Sequence, residues 1–473
     1  MNIAFVAALA LQMLSLLILR HRLGKAWFGY PFTYFVLVAI AYHGIGEIML
    51  HLSTSQMYTL TRLSVEHRYI DLAALIVSAA LLTCVIGYVL RVKPVFGSAN
   101  GRKIGLKLPD WRALALICLP LVIATVEDRG YHNGSPLIFG QDPLITIIAK
   151  QFLLLGIVLT TFSFVMRHGR RWLIPAVAGQ SLILATTGQR LEIVAGGVMI
   201  VFLLHRTGMT PSMRSIMSAA CIISILFLSL VSIRENQGRE IFRANNGFEA
   251  RAGAVLAGIN SSPGDIANLI GQTGIRLDCN SFAGVMQRGL EEGNPPLGTP
   301  EMLRLFSIAV PSVMYPGKHE SQISSAKVNL LPERFRFPAE DYLPGSIGLY
   351  LGFLGPWGLC LFMAILGMLL AMGENWLLRS LTTPRFLILA SGLEGVIFFE
   401  QGLTRLLTSL RAGLALAVLA FVVQQLRVRR SALGNVPQRR GDAIRLRGVH
   451  FSWQPRNVSR LGALSSVRQR SPL

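Results

Sequence analysis

The chain alternates long apolar runs with short stretches that carry basic residues, glycine and proline. A transmembrane helix needs roughly 17–25 predominantly apolar residues, and the longer runs reach that length. The runs lie near residues 2–19, 28–50, 70–90, 113–126, 144–166, 172–187, 191–205, 215–232, 346–371, 386–402 and 404–426. This pattern predicts an all-α fold, namely a polytopic integral membrane protein with about eleven transmembrane helices.

The apolar runs divide the chain into four parts. Residues 1–232 are predicted to form an N-terminal transmembrane bundle of about eight spans, and residues 344–426 a C-terminal bundle of about three. Between them lies one large loop, 233–343, and residues 427–473 form a basic tail that is expected to be disordered. A loop of about 110 residues is too long to be only a connection, so we expect it to carry function.

The charges predict an orientation in the membrane. With the N-terminus outside, every cytoplasmic connection holds a cluster of Lys or Arg, as short cytoplasmic loops usually do. The loop 233–343 then falls outside, where its eleven Lys and Arg are balanced by twelve Asp and Glu. The tail, with eleven Arg and the single acid Asp442, falls inside. The predicted topology is therefore N-out and C-in, with the large loop on the periplasmic side.

The composition supports a membrane protein and weakens a nucleic-acid interpretation. Hydrophobic residues make up 52% of the chain and charged residues 15%, whereas soluble domains carry about 25% charged residues. The net charge of +21 lies mostly in short clusters beside apolar runs. We therefore expect the Arg-rich tail to bind anionic membrane lipid, rather than to act as a nucleic-acid-binding arm, and we predict no nucleic-acid partner.

Several common catalytic motifs are missing from the sequence. It contains no DxD, HExxH, phosphate-binding P-loop or Gly-x-Ser-x-Gly motif, which disfavours ATP hydrolysis, zinc proteolysis and serine-esterase chemistry. The five cysteines are scattered and have neither disulfide-framework nor zinc spacing. We therefore predict neither a bound metal ion nor a cofactor.

Ionisable residues within apolar runs are costly in a membrane and therefore become functional candidates. They are His43, Glu47, Asp71, Lys150, Glu394, Glu400, Arg405 and Arg411. Glu400 and Arg405 flank the predicted turn between the last two spans, where a structural ion pair is the alternative to a functional role.

A second group of candidates consists of arginines on the predicted outer side. Arg190 lies at the junction of two apolar runs, and Arg234, Arg239 and Arg243 follow the eighth run. On a helix, Arg239 and Arg243 share a face, and guanidinium groups bind diphosphate oxygens in a bidentate manner. The alternative is a solvated amphipathic helix with ordinary salt bridges.

Two motifs around the ninth run are similar to those of a known family. The segment PSVMYPGK, residues 311–318, resembles the Pro-x-x-x-x-Pro-x-Lys element of bacterial oligosaccharide repeat-unit polymerases, the Wzy-type O-antigen polymerases. Ser346, Tyr350, Phe353, Gly355 and Gly358 resemble the Ser…Tyr…Phe-Gly…Gly pattern that opens the next span in that family. The match has one leucine inserted after Phe353, and Leu349 stands where that family often has an acidic residue.

The resemblance implies a fold and a reaction. It implies an architecture like that of C-type glycosyltransferases, in the bacterial inner membrane. The enzyme would polymerise undecaprenyl-diphosphate-linked oligosaccharide repeat units into O-antigen or exopolysaccharide at the periplasmic face, with a chain-length regulator as a further partner. A lipid-linked oligosaccharide flippase or transporter and an O-antigen ligase are the alternatives.

Such a reaction needs a general base and cationic groups at the leaving diphosphate. Four residues are candidates for the base, and they are not ranked: Glu320, His319, Glu240 and Glu400. The candidates for binding the substrate diphosphate are Arg190, Arg234, Arg239, Arg243, Lys318, Arg334, Arg336 and Arg405.

Overall fold

The structure is a computed structural model, and its described part is helical. It describes residues 3–46, 48, 65–93, 143–185, 190–206, 211–236, 253, 279–306, 330–336, 345–379, 383–397, 399 and 402–434. No strand occurs among these residues. The predicted all-α class is therefore confirmed for the described part of the chain.

The main α-helices within these ranges are numbered α1 to α12. They are α1 (Ile3–Leu23), α2 (Pro31–Ile40), α3 (His67–Arg91), α4 (Pro143–His168), α5 (Leu173–Ala185), α6 (Arg190–Arg206), α7 (Met213–Asn236), α8 (Asn280–Glu291), α9 (Thr299–Phe306), α10 (Gly345–Arg379), α11 (Thr383–Ile397) and α12 (Gly402–Gly434). A 3₁₀ helix, Gly24–Gly29, joins α1 to α2, and α2 continues into a π-helical turn at Ala41–Ile45.

Helices coincide with the predicted spans, apart from residues 113–126, which lie outside the described residues. Among the described residues, three helical segments are long and apolar enough to cross a membrane: Ile3–Gly29, His67–Arg91 and Gly345–Leu378. Shorter apolar helices cover Pro31–Ile45, Leu154–His168, Met213–Phe227 and Ser409–Val422. The chain therefore has the helices of a membrane protein.

The three long helices run parallel to one another. Gln12 of α1 contacts Ser78 of α3, and ten residues further along α1 the Arg22 side chain donates to the Val92 carbonyl. Along α3 and α10, Thr83 contacts the Cys360 carbonyl, and Tyr88 contacts Glu374. Because their chain directions agree, each of these helices begins at the same end of the bundle.

Glycines bring α3 and α10 into close contact. A Cβ atom at Gly87 would overlap the carbonyl oxygen of Ala364, and one at Gly367 would overlap the carbonyl oxygen of Cys84. Small residues at such positions let two backbones approach, which is a main source of packing between helices in membranes. The pair α3 and α10 therefore forms the closely packed centre of the described bundle.

Helix α10 is kinked where it meets a segment of the predicted loop. Gly355 has a φ of 68° and ψ of 178°, and Pro356 follows it inside the helix. Proline has no N–H to donate to the carbonyl of Gly352. The N–H of Leu297 donates to that carbonyl instead (3.1 Å), and the N–H of Gly298 donates to the carbonyl of Phe353 (2.8 Å). At the kink, two carbonyl groups of α10 therefore bind the backbone of Leu297 and Gly298 from the predicted loop.

Part of the predicted loop 233–343 is packed into the bundle. Helix α8 lies against α3 and α10, and Phe282, Ala283 and Met286 are among its buried residues. Gly284 approaches the backbone of Ile70 at the start of α3. The described centre of the loop is therefore part of the helical core.

The contacts divide the chain into two compact units. The first, Met1–Val423, combines helices from both predicted transmembrane bundles with α8 and α9. The second is Gln424–Leu473, of which residues up to Gly434 continue helix α12. The helix thus extends past residue 427, where the tail was predicted to begin, and residues 435–473 lie outside the described part.

Candidate functional site

Two buried polar clusters occupy opposite ends of α2 and its π-helical turn. The first, which we call the Glu374 end, is where α1, α3, α6 and α10 finish and α2 begins. The second, the His43 end, is where the π-helical turn meets the first residue of α8. Along α2, about 16 Å of helix separates Phe32 from His43, at 1.5 Å per residue.

The His43 end is built around a side-chain pair between the membrane helices and the predicted loop. Nδ1 of His43 lies 2.6 Å from Oδ1 of Asn280. Nδ2 of Asn280 donates to the backbone carbonyl of His43 at 2.8 Å. His43 is 2% exposed and Asn280 is 1% exposed, so this bidentate contact is shielded from solvent.

These hydrogen bonds define which nitrogen of the imidazole carries the proton. The Asn280 amide nitrogen must face the His43 carbonyl, because only a donor satisfies a carbonyl, and this turns Oδ1 towards the ring. Oδ1 can only accept, so Nδ1 of His43 is the donor. In the neutral ring, Nε2 then holds a lone pair, and it is buried without a hydrogen-bond partner in the described part of the chain. Asn280 therefore sets His43 in the tautomer of a general base.

Aromatic and small residues surround the ring. The Phe399 ring lies edge-on to His43 with centroids 5.6 Å apart, and it also stacks with Tyr42. Ser346 fixes this part of the chain by donating its hydroxyl to the Phe399 carbonyl (3.1 Å). At Gly348, an added Cβ would lie 3.9 Å from Cε1 of His43. The α10 backbone thus passes close to the ring without placing a side chain there.

The π-helical turn that carries His43 packs against a hydrogen bond between α1 and α3. Gln12 donates to the hydroxyl of Ser78 at 2.9 Å, and both side chains are buried. A Cβ at Gly44 would overlap Oε1 of Gln12. The absence of a side chain at Gly44 therefore lets the turn approach α1. Single π-helical turns within α-helices occur frequently at functional sites.

At the Glu374 end, both oxygens of one buried carboxylate accept hydrogen bonds. Glu374 accepts the N–H of Phe32 through Oε1 and the hydroxyl of Tyr88 through Oε2, both at 2.5 Å. Arg206 interacts electrostatically with Glu374 and donates to the Leu378 carbonyl at 3.2 Å. This buried carboxylate therefore ties α2, α3 and α6 to α10.

The predicted catalytic residues cannot be placed in either cluster. Glu240, His319, Glu320 and Glu400 lie outside the described residues. Of the predicted diphosphate-binding residues, Arg239, Arg243 and Lys318 also lie outside them. Arg190, Arg234 and Arg405 lie in α6, α7 and α12, but their side chains are outside the described part.

Two of the predicted arginines are described in full. Arg334 and Arg336 are exposed, and Arg336 has a positive φ of 55°. Between them, Phe335 is buried and lies close to Gly289 and Gly352. The Phe335 side chain therefore anchors this loop segment to α8 and α10, while both arginines remain on the surface.

The ionisable residues predicted at membrane depth have different surroundings. Asp71 and Glu394 are both 2% exposed, and Arg411 is half-buried. Glu47 and the side chain of Lys150 lie outside the described part. Of this group, His43 has a described polar partner and a buried, unsatisfied nitrogen. It is therefore the candidate that the geometry supports.

Sequence reasoning overlooked two important residues. Glu374 was assigned to a cytoplasmic connection, because the ninth span was predicted to end at residue 371. The buried positions 363, 367, 371, 374 and 378 continue one helical stripe, so helical periodicity could have identified Glu374. Asn280 gave no such signal, since its partner His43 lies 237 residues away.

No metal site or known relative guides the interpretation. Among the described residues, no group of three or more His, Cys, Asp or Glu side chains is arranged to hold a metal ion. No protein-family model matches the chain, and no curated protein or solved structure matches it.

Proposed function

We propose that this chain is a multi-pass membrane glycosyltransferase that polymerises undecaprenyl-diphosphate-linked oligosaccharide repeat units. The reaction takes place at the periplasmic face of a bacterial plasma membrane and yields O-antigen or exopolysaccharide. The single observation that carries this proposal is the His43–Asn280 pair. It joins a membrane helix to the large loop and leaves one imidazole nitrogen with a free lone pair.

The orientation of the bundle supports a reaction at the outer face. The basic residues Arg22, Arg91, Lys93, Arg206 and Arg379 all lie at or next to the Glu374 end. Basic connections remain in the cytoplasm, so the Glu374 end faces inwards in our proposal. The His43 end, together with the loop helix α8, then faces the periplasm, where lipid-linked repeat units are joined.

The proposed transfer requires that the two substrates are positioned and that the charge on the leaving group is stabilised. The leaving group is a lipid diphosphate, whose developing charge arginine side chains stabilise without a metal. The outer-side residues Arg190, Arg234, Arg239 and Arg243, with Lys318, Arg334, Arg336 and Arg405, are the proposed cations. The growing glycan leaves its lipid diphosphate and is transferred to a hydroxyl of the next lipid-linked unit.

A transporter or flippase for lipid-linked oligosaccharides is the second candidate. Transporters use ionisable residues deep in the membrane, and Glu374 and Glu394 are both buried. However, Glu374 accepts two hydrogen bonds and interacts with an arginine, which suits a structural lock better than a moving carboxylate. An O-antigen ligase would share the architecture and differ in its acceptor.

Deleting the gene separates the three functions. We expect cells without the protein to display glycan of a single repeat unit, because units are still flipped and ligated but not joined to each other. Electrophoresis of the surface glycan measures this directly. A completely bare acceptor would contradict a polymerase and indicate a ligase, whereas lipid-linked units held on the cytoplasmic side would indicate a flippase.

A further inference from the structure

Three features distinguish His43 among the buried ionisable residues. Its ring is held by Asn280 through Nδ1, its Nε2 lone pair has no partner among the described residues, and its backbone lies in a π-helical turn. Leaving a buried acceptor without a hydrogen bond is unfavourable, because the group loses its interaction with water. A fold that keeps this unfavourable group is best explained if the Nε2 lone pair takes part in a reaction.

We propose that Nε2 of His43 accepts the proton of the acceptor hydroxyl during glycan transfer, and that Asn280 is its positioning residue. The inference rests on the proposed function and assigns the base that sequence reasoning left open among four other residues. General bases are imidazoles more often than any other group. Here the imidazole comes from a membrane helix, and the group that orients it comes from the loop.

The step balances without a further reactant. The acceptor hydroxyl loses its proton to Nε2 of His43, and its oxygen forms a bond to the anomeric carbon of the growing glycan. The bond from that carbon to the lipid diphosphate breaks, and the diphosphate leaves with the electron pair. His43, now positively charged, returns its proton to water or to the released diphosphate.

The second buried histidine provides a contrast within the same chain. Nδ1 of His205 also lacks a hydrogen-bond partner among the described residues, and its ring packs against Phe28 with centroids 5.4 Å apart. His205 lies at the Glu374 end, next to Arg206, and no side-chain hydrogen bond from another described residue fixes its tautomer. A buried histidine with an unsatisfied nitrogen is therefore not sufficient, and His205 serves as the matched control.

The test uses full-length protein in lipid nanodiscs with a synthetic undecaprenyl-diphosphate repeat unit. His43→Asn keeps an amide donor near the position of Nδ1, for Oδ1 of Asn280, but has no counterpart of Nε2. Because general-base catalysis contributes about 10²–10⁴-fold, we expect kcat to fall at least a hundredfold. The KM and the thermal unfolding temperature should remain close to those of the wild type. His205→Asn should keep the wild-type kcat.

Chemical rescue distinguishes a base from a structural residue. In His43→Ala, added imidazole should restore chain extension in proportion to its concentration, because the missing proton acceptor is returned to the site. The same addition should leave His205→Ala unchanged. If His43→Asn does not fold, rescue of His43→Ala by imidazole decides whether His43 is the base. If neither of these variants folds, His43→Gln is used, and a wild-type kcat in that variant would overturn the assignment.

The outcomes separate this inference from the proposed function. If wild-type protein polymerises repeat units and His43→Asn does so at the same rate, His43 is not the base, although the protein is a polymerase. Loss of activity in His43→Ala without any rescue by imidazole would also overturn the assignment. If the wild-type protein itself forms no polymer, the proposed function fails before His43 is tested.

Discussion

The Glu374 carboxylate and the His43 imidazole differ in how fully their hydrogen bonds are satisfied among the described residues. At the Glu374 end, both carboxylate oxygens accept hydrogen bonds from other helices, and Arg206 adds favourable charge. At the His43 end, one ring nitrogen is bound and the other is not. A satisfied buried cluster makes a structure rigid, whereas an unsatisfied buried group calls for a functional explanation.

Burial alone does not identify a functional residue in a membrane protein. Glu374 and His43 are both buried, and either would qualify as a candidate because intramembrane ionisable groups are expensive. Their hydrogen bonds distinguish them, since Glu374 connects four helices, whereas Nε2 of His43 presents a lone pair. Three variants test whether the Glu374 end stabilises the fold and the His43 end takes part in the reaction.

The largest expected effect on stability is that of Glu374→Ala. The variant leaves the Phe32 N–H and the Tyr88 hydroxyl without their shared acceptor, and it removes the negative charge that interacts with the Arg206 guanidinium. Removing one partner from a buried charged cluster costs about 3–5 kcal/mol, and thermal unfolding in detergent measures it. Glu374→Gln, which keeps an acceptor oxygen, should lose less. A large fall in kcat of the remaining folded protein would show that this end also takes part in catalysis.

Asn280→Ala should produce a smaller loss of stability and a clear loss of activity. Without Oδ1, the ring of His43 is no longer held with Nδ1 as the donor, so a smaller fraction has its Nε2 lone pair in place. We expect kcat to fall about tenfold, equivalent to about 1.4 kcal/mol, with little change in KM. Asn280→Asp keeps the acceptor oxygen and should retain more activity than Asn280→Ala. Equal rates for Asn280→Ala and wild type would argue against positioning.

The smallest expected effect is that of Tyr88→Phe. It removes one of the hydrogen bonds to Glu374 and leaves the Phe32 N–H and Arg206 in place. The expected cost in unfolding free energy is about 1 kcal/mol, without a change in the rate of chain extension. A loss as large as that of Glu374→Ala would mean that the tyrosine hydroxyl, rather than the arginine, stabilises the carboxylate.

Most helices of this protein could be predicted from sequence, because a membrane span depends on local composition. The predicted run 70–90 corresponds to helix His67–Arg91, and 346–371 corresponds to Gly345–Arg379. Errors arose where a polar residue was interpreted as the end of a span. The predicted run ended at residue 371, three residues before Glu374, although hydrogen bonds from Phe32 and Tyr88 keep Glu374 inside the bundle.

The loop shows a second limit of sequence reasoning. Helix α8 lies in a stretch with many polar residues and was predicted only as part of an outer loop. Its residues Phe282, Val285 and Met286 are buried because α3 and α10 pack against them. A helix of twelve residues is marginal in isolation, so tertiary packing is needed to stabilise it.

The sequence by itself determined the fold class, the positions of most helices and the uneven distribution of basic charge, since each depends on residues close together in the chain. It also marked His43 as a costly residue for a membrane. Only the tertiary structure decided which costly residues are satisfied and which are not. His43 and Asn280 are 237 residues apart, and no local pattern can reveal a partner at that distance.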